Sequence, residues 1–269
     1  MKVVAWEEFG GSASLRGPLA AAVGVFDGLH LGHMRLIQEV LAKDGLAKGV
    51  VTFKENPKKT LHPSTFHGDI FTLEQKLERC EALGLDICVL IDFSGDFSKL
   101  TGRKFLSLLR EKGDLRFLAV GADFRCGYRL DTGAGEIKSY YAEIGVESRL
   151  LEPVLWGGHP ISSSRIRRAV VEGRLDDARA MLGRDFEVDL RGSRILGGAS
   201  SPRYAPEPGR QVEPPTGAYE AEAGWGREYR ATAATYGGGA WTLDLPGAEG
   251  ARGGATPTAL RLVKLVSRV

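Results

Sequence analysis

The chain has 269 residues, of which 43% are hydrophobic and 26% are charged, and its formal net charge at pH 7 is +2. This composition is typical of a globular protein with one large domain or two small ones. A net charge so close to zero gives no support for nucleic acid or an anionic membrane as a partner. Because no apolar run reaches about 18 residues, we also expect no membrane-spanning helix.

Two features favour a cytoplasmic location. The N-terminal stretch MKVVAWEEFG carries acidic residues early and lacks the apolar region of an export signal. Cys80, Cys88 and Cys126 are odd in number and have no C-x-x-C spacing. We therefore expect reduced thiols rather than a disulfide framework or a zinc site.

Strand-like and helix-like stretches alternate up to about residue 186. The predicted strands cover residues 19–26, 47–53, 86–93 and 116–122. Each is a continuous apolar run, which is typical of parallel strands covered on both faces. The repeated β–α–β order predicts an open parallel sheet of the Rossmann type.

Helices are predicted between these strands because apolar residues recur there at helical spacing. The second helix also has a possible capping box at its start. The residues that define the helices are Met34, Ile37 and Leu41 on one face of the first, Leu73, Leu77 and Cys80 on one face of the second with Thr72 and Gln75 as its capping box, and the stretch from Lys104 to Leu109 in the third.

The composition changes after about residue 190, where glycine and proline become frequent. Short strand-like runs separated by turn residues predict a small antiparallel barrel-like domain or sandwich. We expect the glycine- and proline-rich residues 197–215 to form a mobile loop. The domains are therefore predicted as 1–186 and 187–269. The strand-like runs begin at Gly217, Tyr229, Ala240 and Ala259.

The stretch GVFDGLHLGH (24–33) follows the first long predicted strand. Ligands of open α/β sheets bind beyond the carboxyl ends of the strands. Gly24 and Gly28 allow the backbone to approach a ligand, and the helix that follows directs its first amides at an anion. His30 and His33 are three residues apart, on one side of the first turn, where imidazoles can donate to phosphate oxygens. The pattern indicates a phosphate-handling site.

Other interpretations of the two histidines remain open. An H-x-G-H sequence also occurs by chance, and histidines can bind metal, although no cluster of acids or cysteines completes a ligand set here. The later stretch ISSSRIRR (161–168) has serines that can cap a helix and arginines that can bind phosphate. It would also fit an ordinary capped surface helix. VGADFRCG (120–127) is another strand end that leads into a loop with glycine.

The combination of these motifs is more specific than any one of them. In order and sequence it resembles the adenylyltransferase module of prokaryotic FAD synthetases, the bifunctional riboflavin kinase/FMN adenylyltransferases. The resemblance covers roughly residues 15–188 and includes VTFKENP (51–57) and FTLEQKLERCEALGLD (71–86) in the family's order. It implies a Rossmann-like nucleotidyltransferase domain that joins FMN to AMP from ATP, giving FAD and pyrophosphate.

The resemblance also implies roles for individual residues. Mg²⁺ would accompany ATP, held by phosphates and water, so no protein metal ligand is expected. The implied catalytic residues are His30, His33 and Arg165, and the implied binding residues are Gly24, Val25, Phe26, Asp27, Gly28 and Gly32 in the nucleotide loop, Asp123, Phe124 and Arg125 near adenosine and substrate, and Ser162, Ser163 and Ser164 near the phosphates.

Two departures from the family pattern lie near the implied flavin pocket. Glu55 and Asn56 precede Pro57, where the family usually has proline and histidine, and Cys126 replaces a second aromatic residue. Apolar contacts to the flavin could come from Phe53, Phe66 and Phe124, each of which could equally be a core residue.

The second domain resembles a riboflavin kinase barrel without its catalytic residues. PPTGAY (214–219) is similar to the family's PPxGVY segment, but no PTAN sequence precedes it. AWTLDLPG (240–247) contains Asp244 but no glutamate, and the usual C-terminal helix does not follow. We therefore expect FMN adenylyltransferase activity without riboflavin kinase activity, the second domain serving packing, dimerisation or product contacts.

Two alternatives remain. The chain could be an H-x-G-H nucleotidyltransferase for another phosphate acceptor, such as nicotinamide mononucleotide or phosphopantetheine, or a non-catalytic flavin or nucleotide sensor. The expected partners are the small molecules ATP and FMN, not nucleic acid or a membrane, because the basic residues are dispersed. The oligomeric state is left open between a monomer and a weak homo-oligomer.

Overall fold

The computed structural model describes residues 1–10, 17–93, 96–197, 202–245 and 256–268. The chain is divided into two compact units. The first unit comprises Met1–Ser64 and Leu73–Pro160, and the second comprises Thr65–Thr72 and Ile161–Val269.

Strands and helices alternate along the first unit. Its strands are β1 (Lys2–Ala5), β2 (Leu19–Val23), β3 (Ala47–Phe53), β4 (Ile87–Ile91), β5 (Leu115–Gly121), β6 (Arg125–Cys126), β7 (Thr132–Gly133), β8 (Glu147–Leu151), β9 (Leu155–Trp156) and β10 (His159–Pro160). Its helices are α1 (Leu31–Leu41), α2 (Pro57–Leu61), α3 (Leu73–Ala82), α4 (Gly102–Gly113) and α5 (Ala134–Glu143).

The main sheet of this unit has six strands in the order β1-β4-β3-β2-β5-β8. Every neighbouring pair is parallel, which confirms the predicted parallel sheet. The four predicted strands correspond to β2, β3, β4 and β5. The edge strands β1 and β8 were not predicted, because a strand at the edge of a sheet is only partly covered and need not be a continuous apolar run.

Helices cover both faces of this sheet. On one face, Leu106 and Leu109 of α4 and Ile137 of α5 belong to the main hydrophobic cluster. On the other, α1 packs against β2, β3 and β5. The buried residues of α1 are Leu36, Ile37 and Val40. The predicted face was therefore only partly right, since Met34 and Leu41 are half-buried.

The second helix also differs from its prediction. The buried residues of α3 are Gln75, Lys76 and Cys80, whereas Leu73 and Leu77 are half-buried. Buried polar side chains need hydrogen-bond partners, and those of Lys76 are described below with the candidate site. The thiols of Cys80 and Cys88 are free and buried in this unit.

The second unit is built on an antiparallel sheet, which confirms the predicted class of the C-terminal region. Its strands are ordered β11-β17-β14-β15-β16-β13-β12. They are β11 (Phe186–Asp189), β12 (Arg194–Leu196), β13 (Arg203–Ala205), β14 (Gly217–Trp225), β15 (Glu228–Gly237), β16 (Ala240–Asp244) and β17 (Ala259–Arg268), and the helices of the unit are α6 (Ser163–Val171) and α7 (Leu175–Leu182).

Aromatic residues pack together in the core of the second unit. The ring of Trp241 lies with its centroid 4.8 Å from that of Tyr236 and 5.3 Å from that of Tyr219. The predicted mobile loop is corrected in part, because residues 203–205 form β13 and Val212 is buried. Residues 198–201 of that loop, and residues 246–247 at the end of the AWTLDLPG stretch, lie outside the described residues.

A segment from the first part of the sequence, Thr65–Thr72, belongs to the second unit. Asp69 and Gln211 form a parallel bridge, and the side-chain amide of Gln211 donates to the carbonyl of Ile70 at 2.9 Å. The Thr72 hydroxyl donates to Asp189 at 2.6 Å. Helices α6 and α7 also belong to this unit. The domain boundary after residue 186 stays a prediction from composition, whereas packing groups these earlier segments with the antiparallel sheet.

Candidate active site

The strand order defines a switch point in the parallel sheet. From β2 the chain continues to β3 and β4 on one side, and β5 then returns to the other side of β2. Crevices at such a point, beyond the carboxyl ends of the strands, are the usual ligand sites of open α/β sheets. The loop after β2 (24–30) and the loop after β5, which runs from residue 122 into β6, therefore leave the same edge from adjacent strands.

The loop after β2 has an unusual backbone. Phe26, Gly28 and Leu29 have φ angles of 51°, 75° and 40°. A side chain in this left-handed region costs roughly 1–2 kcal/mol per residue, which glycine avoids. Phe26 and Leu29 have no exposed surface, and full burial of such side chains contributes about 1.5–3 kcal/mol each. Burial offsets the strain, so the folded chain itself fixes the shape of the loop.

His30 and His33 lie together at the start of α1. The Nδ1 atom of His30 accepts a hydrogen bond from the backbone N–H of His33 at 3.4 Å. In the neutral ring the hydrogen is then on Nε2, which can donate. The two imidazoles stack with centroids 3.6 Å apart, and the ring of Phe26 meets that of His33 edge-on. Gly32 permits this packing, because a Cβ atom there would lie 3.2 Å from the His30 ring.

The environment of His33 opposes its protonation. Burial, the neighbouring His30 and the ammonium of Lys76, in that order, hold the pKa of His33 well below its usual value of about 6.5. The ring is therefore neutral at pH 7. Its Nδ1 atom is buried and has no hydrogen-bond partner in the part of the chain that the structure describes. This ring nitrogen therefore has unused hydrogen-bonding capacity.

Below the loop lies a lysine, Lys76, that is not among the predicted site residues. The Nζ atom of Lys76 donates to the carbonyls of Val25 at 3.1 Å and Phe53 at 3.2 Å. The Thr52 hydroxyl donates to the same Val25 carbonyl at 2.9 Å. On a helical wheel Lys76 lies next to Cys80, at the edge of the predicted apolar face, so a charged residue beside that face was the available signal.

Two further residues of the loop after β2 are Gly24, which is half-buried, and Asp27. Gly24 continues the ladder of the sheet by donating its N–H to the carbonyl of Val51 at 3.1 Å. Asp27 is buried. The acidic side chain at this position is thus part of the folded loop rather than of the solvent-exposed surface.

The loop after β5 contributes side chains of two kinds. Asp123 and Arg125 are exposed, and the Nε atom of Arg125 donates to the carbonyl of Leu130 at 3.0 Å. Phe124 is half-buried and packs against the core cluster. Cys126 also packs against the core cluster. Burial, together with the nearby carboxylates of Asp131 and Glu136, raises the pKa of its thiol to about 12.

Two of the departures from the family pattern have structural explanations. Asn56 caps α2, accepting a hydrogen bond from the N–H of Lys58 at 3.2 Å. Glu55 is exposed and forms an ion pair with Lys59 at 3.6 Å. Phe53 contacts Phe93 and Phe97 edge-on. The aromatic surface that begins with Phe53 therefore lies at the carboxyl ends of β3 and β4.

The serine- and arginine-rich motif lies in the second unit. Helix α6 begins at Ser163, and the hydroxyl of Ser162 accepts a hydrogen bond from the N–H of Arg165 at 3.4 Å, as expected for a capped helix start. Arg167 donates to the carbonyl of Gly68 at 2.8 Å. Ser163 and Arg165 are half-buried and Ser164 is exposed. The approach of these residues to a shared phosphate site stays a prediction.

Two properties of the described residues bear on metals and membranes. No group of three or more histidine, cysteine, aspartate and glutamate side chains there could hold a metal ion. Within those ranges, no helix has both the length and the apolar character needed to span a membrane.

Comparison with known proteins identifies relatives at the level of sequence. The chain is 31% identical over 182 residues to the bifunctional riboflavin kinase/FMN adenylyltransferase of Listeria monocytogenes, covering 65% of this chain and 56% of the relative. It is 30% identical over 210 residues to that of Escherichia coli K12, covering 74% and 66%. Against Listeria and Buchnera aphidicola relatives, the chain therefore spans little more than half of their length.

The fold and the family are supported separately. A crystal structure of a protein from Streptococcus pneumoniae, named as a macrolide-efflux protein, has a TM-score of 0.82 and 21% identity, covering 100% of this chain and 92% of that one. At this identity the likeness concerns the fold alone. The sequence model of the family described as FAD synthetase matches residues 13–165, which is more than half of the chain. The chain belongs to the FAD synthetase family.

Proposed function

We propose that the protein is an FMN adenylyltransferase, transferring AMP from ATP to FMN to give FAD and pyrophosphate. The observation that carries the proposal is the stacked His30–His33 pair on a fixed loop at the switch point of the parallel sheet. A pair of imidazoles beside a helix N-terminus provides donors for phosphate oxygens. Family membership supports the same activity.

The proposed reaction needs positioning and charge stabilisation. A phosphate oxygen of FMN forms a bond to the α-phosphorus of ATP, while the bond from that phosphorus to the oxygen bridging to the β-phosphorus breaks and pyrophosphate leaves. Negative charge builds up on the leaving group and on the oxygens around the α-phosphorus. The Nε2–H of His30 donates to one of these oxygens, a type of contact that typically contributes 10²–10³ in rate.

His33 has a different role in this proposal. Its ring is neutral in the free protein, and a bound triphosphate would raise its pKa, because an anion favours the imidazolium form. Proton uptake would then accompany ATP binding, and the positive charge would be present where the leaving group departs. We assign Arg165 and the hydroxyls of Ser162, Ser163 and Ser164 to the triphosphate as well, because arginine binds phosphate in bidentate geometry.

The acceptor is assigned to the loop after β5 and its neighbours. Asp123 and Arg125 offer exposed polar groups, and the apolar surfaces of Phe53 and Phe124 suit a flat ring system. Mg²⁺ enters with ATP as part of the substrate, held by phosphates and water. A cytoplasmic enzyme acting on free ATP and FMN is consistent with this set of small-molecule partners.

We further propose that the second unit lacks riboflavin kinase activity. Where the family has its PTAN sequence, this chain has the stretch before PPTGAY, in which Arg203–Ala205 forms β13 with Tyr204 and Ala205 buried. Asp244 in β16 is exposed, and its backbone carbonyl accepts the Thr232 hydroxyl at 2.8 Å. Kinase chemistry requires a metal ligand and a base, and these strands offer neither PTAN nor a glutamate.

A different phosphate acceptor is the second candidate function. It is favoured by the flavin-side departures, because Asn56 is committed to capping α2 and Cys126 to the core. The ATP-binding half of the site would be unchanged in that case, so only the acceptor distinguishes the two proposals.

The test is to incubate the purified full chain with ATP, Mg²⁺ and one acceptor at a time, following pyrophosphate release and the nucleotide products. We expect FAD from FMN, and no FMN from riboflavin.

His33→Asn should reduce kcat by roughly 10²–10³. Preferred adenylylation of nicotinamide mononucleotide or phosphopantetheine would replace the FMN proposal. Tight flavin or ATP binding without pyrophosphate release would indicate a sensor, and FMN formation from riboflavin would contradict the loss of kinase activity.

A further inference from the structure

Lys76 is a buried cation at the base of the nucleotide loop. Only 6% of its surface is exposed, although lysine is almost never this buried in proteins unless its charge is satisfied. Its Nζ atom lies 3.1 Å from the Val25 carbonyl, 3.2 Å from the Phe53 carbonyl and 3.5 Å from the Thr52 hydroxyl. An ammonium group has three N–H donors, which these three oxygens match.

These oxygens lie where two strands of the sheet separate. The β2–β3 ladder ends with Val23 opposite Val51 and with the hydrogen bond from the N–H of Gly24 to the carbonyl of Val51. Past this point the chain from β2 enters the left-handed loop, while β3 continues through Thr52 and Phe53. Lys76 donates to oxygens on both segments, the loop after β2 and the end of β3. The Lys76 ammonium therefore links the two segments by hydrogen bonds at the point where the backbone hydrogen bonds between β2 and β3 end.

The same group affects the catalytic side of the loop. Val25, whose carbonyl Lys76 holds, is followed directly by Phe26, and the ring of Phe26 meets that of His33. The positive charge is also close enough to His33 to oppose its protonation. A fixed cation below the loop favours the negative charge of a triphosphate above it, and this interaction does not require Lys76 to touch the nucleotide.

We propose that Lys76 is a positioning residue for adenylyl transfer, which ties the diverging ends of β2 and β3 together and thereby holds His33 and the nucleotide loop in their catalytic arrangement. The proposal rests on the proposed function and adds to it a residue outside the nucleotide-binding loops. It differs from a purely structural role, which would affect the amount of folded protein but not the ATP kinetics of each folded molecule.

The main test is Lys76→Met, which keeps most of the apolar stem and removes the ammonium. The exposed side of the same helix offers the control Arg79→Met, which also removes a cation. For folded protein, we expect Lys76→Met to lower kcat about 100-fold and to raise KM for ATP about tenfold, with KM for FMN changed less than threefold. Arg79→Met should change each parameter less than twofold.

Two further measurements keep the test decisive. Calorimetric titration with ATP alone should show weaker binding to Lys76→Met and unchanged binding to Arg79→Met. If Lys76→Met does not fold, Thr52→Val removes one oxygen of the cage with little change in size, and kcat should fall about tenfold. Folded Lys76→Met with kcat and KM within twofold of the unchanged chain overturns the proposal, as does an unaffected Thr52→Val.

The failure of the proposed function is recognisable separately. If the unchanged chain neither binds ATP nor adenylylates any acceptor, the function assigned to the site is wrong, and the role of Lys76 falls with it. If the unchanged chain is active and the lysine variant is equally active, only the inference about Lys76 is wrong.

Discussion

The imidazole of His33 is surrounded by groups that oppose its protonation. His30 lies on one side, the ammonium of Lys76 is on α3, and the Nδ1 atom of the ring is buried. All three lower its pKa, so the folded protein binds fewer protons at this position than the unfolded chain. The free energy of unfolding therefore decreases as the pH falls from about 6.5 toward the pKa of the folded state.

This gives a prediction for the titration of a single residue. In NMR spectra of protein with ¹³C-labelled histidine, the His33 signal, assigned by its loss in His33→Asn, should titrate with a midpoint below 6.5. Adding ATP without an acceptor should raise the midpoint, because the phosphates favour the charged ring. The exposed His62 provides a signal in the same spectrum that ATP should not move. A His33 midpoint at or above 6.5 in the free protein would contradict the burial argument.

The sequence pattern predicted the histidine pair of the candidate site but not the contacts of Lys76. The spacing of His30 and His33 made their proximity predictable, because residues three apart share a face of a helix. Lys76 could not be assigned from sequence, since its partners are carbonyls of Val25 and Phe53 whose positions depend on the packing of α3 under the loop. A lysine on an apolar face gives no indication of which oxygens it meets.

Among the secondary-structure elements, the central strands of the parallel sheet were predictable and its edge strands were not. Continuous apolar runs identify strands that are covered on both faces, as β2 is throughout. The edge strand β8 has alternating exposed and half-buried residues, so its sequence resembles many surface segments. The segment Thr65–Thr72 was likewise not recognised as part of the second unit, because its bonds to Gln211 and Asp189 join residues distant in sequence.

The close packing of Thr65–Thr72 can be tested by replacing two glycines with alanine, one at a packed position and one at an open position. Gly68 has a φ of 97°, and a Cβ atom there would lie 2.4 Å from the backbone of Gln211; Gly209, with a φ of 72°, has open space around it. Gly209→Ala should cost only the backbone strain, about 1 kcal/mol. Gly68→Ala should cost roughly 3 kcal/mol, because overpacking adds to strain. Thermal unfolding followed by circular dichroism measures both, and equal losses would contradict the packing described here.

At the scale of the whole molecule, composition and packing divide the chain differently. Composition changes near residue 190, since glycine and proline become frequent where strands are short and turns are many. Packing instead places Thr65–Thr72, α6 and α7 with the antiparallel sheet. Composition reflects only the local chain, so it cannot detect an early segment that completes a later unit.

A shortened chain of residues 1–186 distinguishes these divisions. It lacks Gln211 and Asp189, the partners of Thr65–Thr72, so we expect the segment to be released and cut by chymotrypsin after Phe71, which is buried in the full chain. The full chain under the same conditions is the control and should resist cleavage there. Equal resistance of the two chains would show that residues 1–186 form an independent domain, as composition predicts.

The sulfur chemistry of the first unit has a practical consequence. All three cysteines lie in this unit, and burial raises the pKa of Cys80 to about 11 and that of Cys88 to about 12, as for Cys126. Alkylating reagents attack thiolates, which are scarce at neutral pH while the unit is closed. Loss of free thiol with time therefore records the opening of the parallel-sheet unit alone, and the antiparallel unit contributes nothing to that signal.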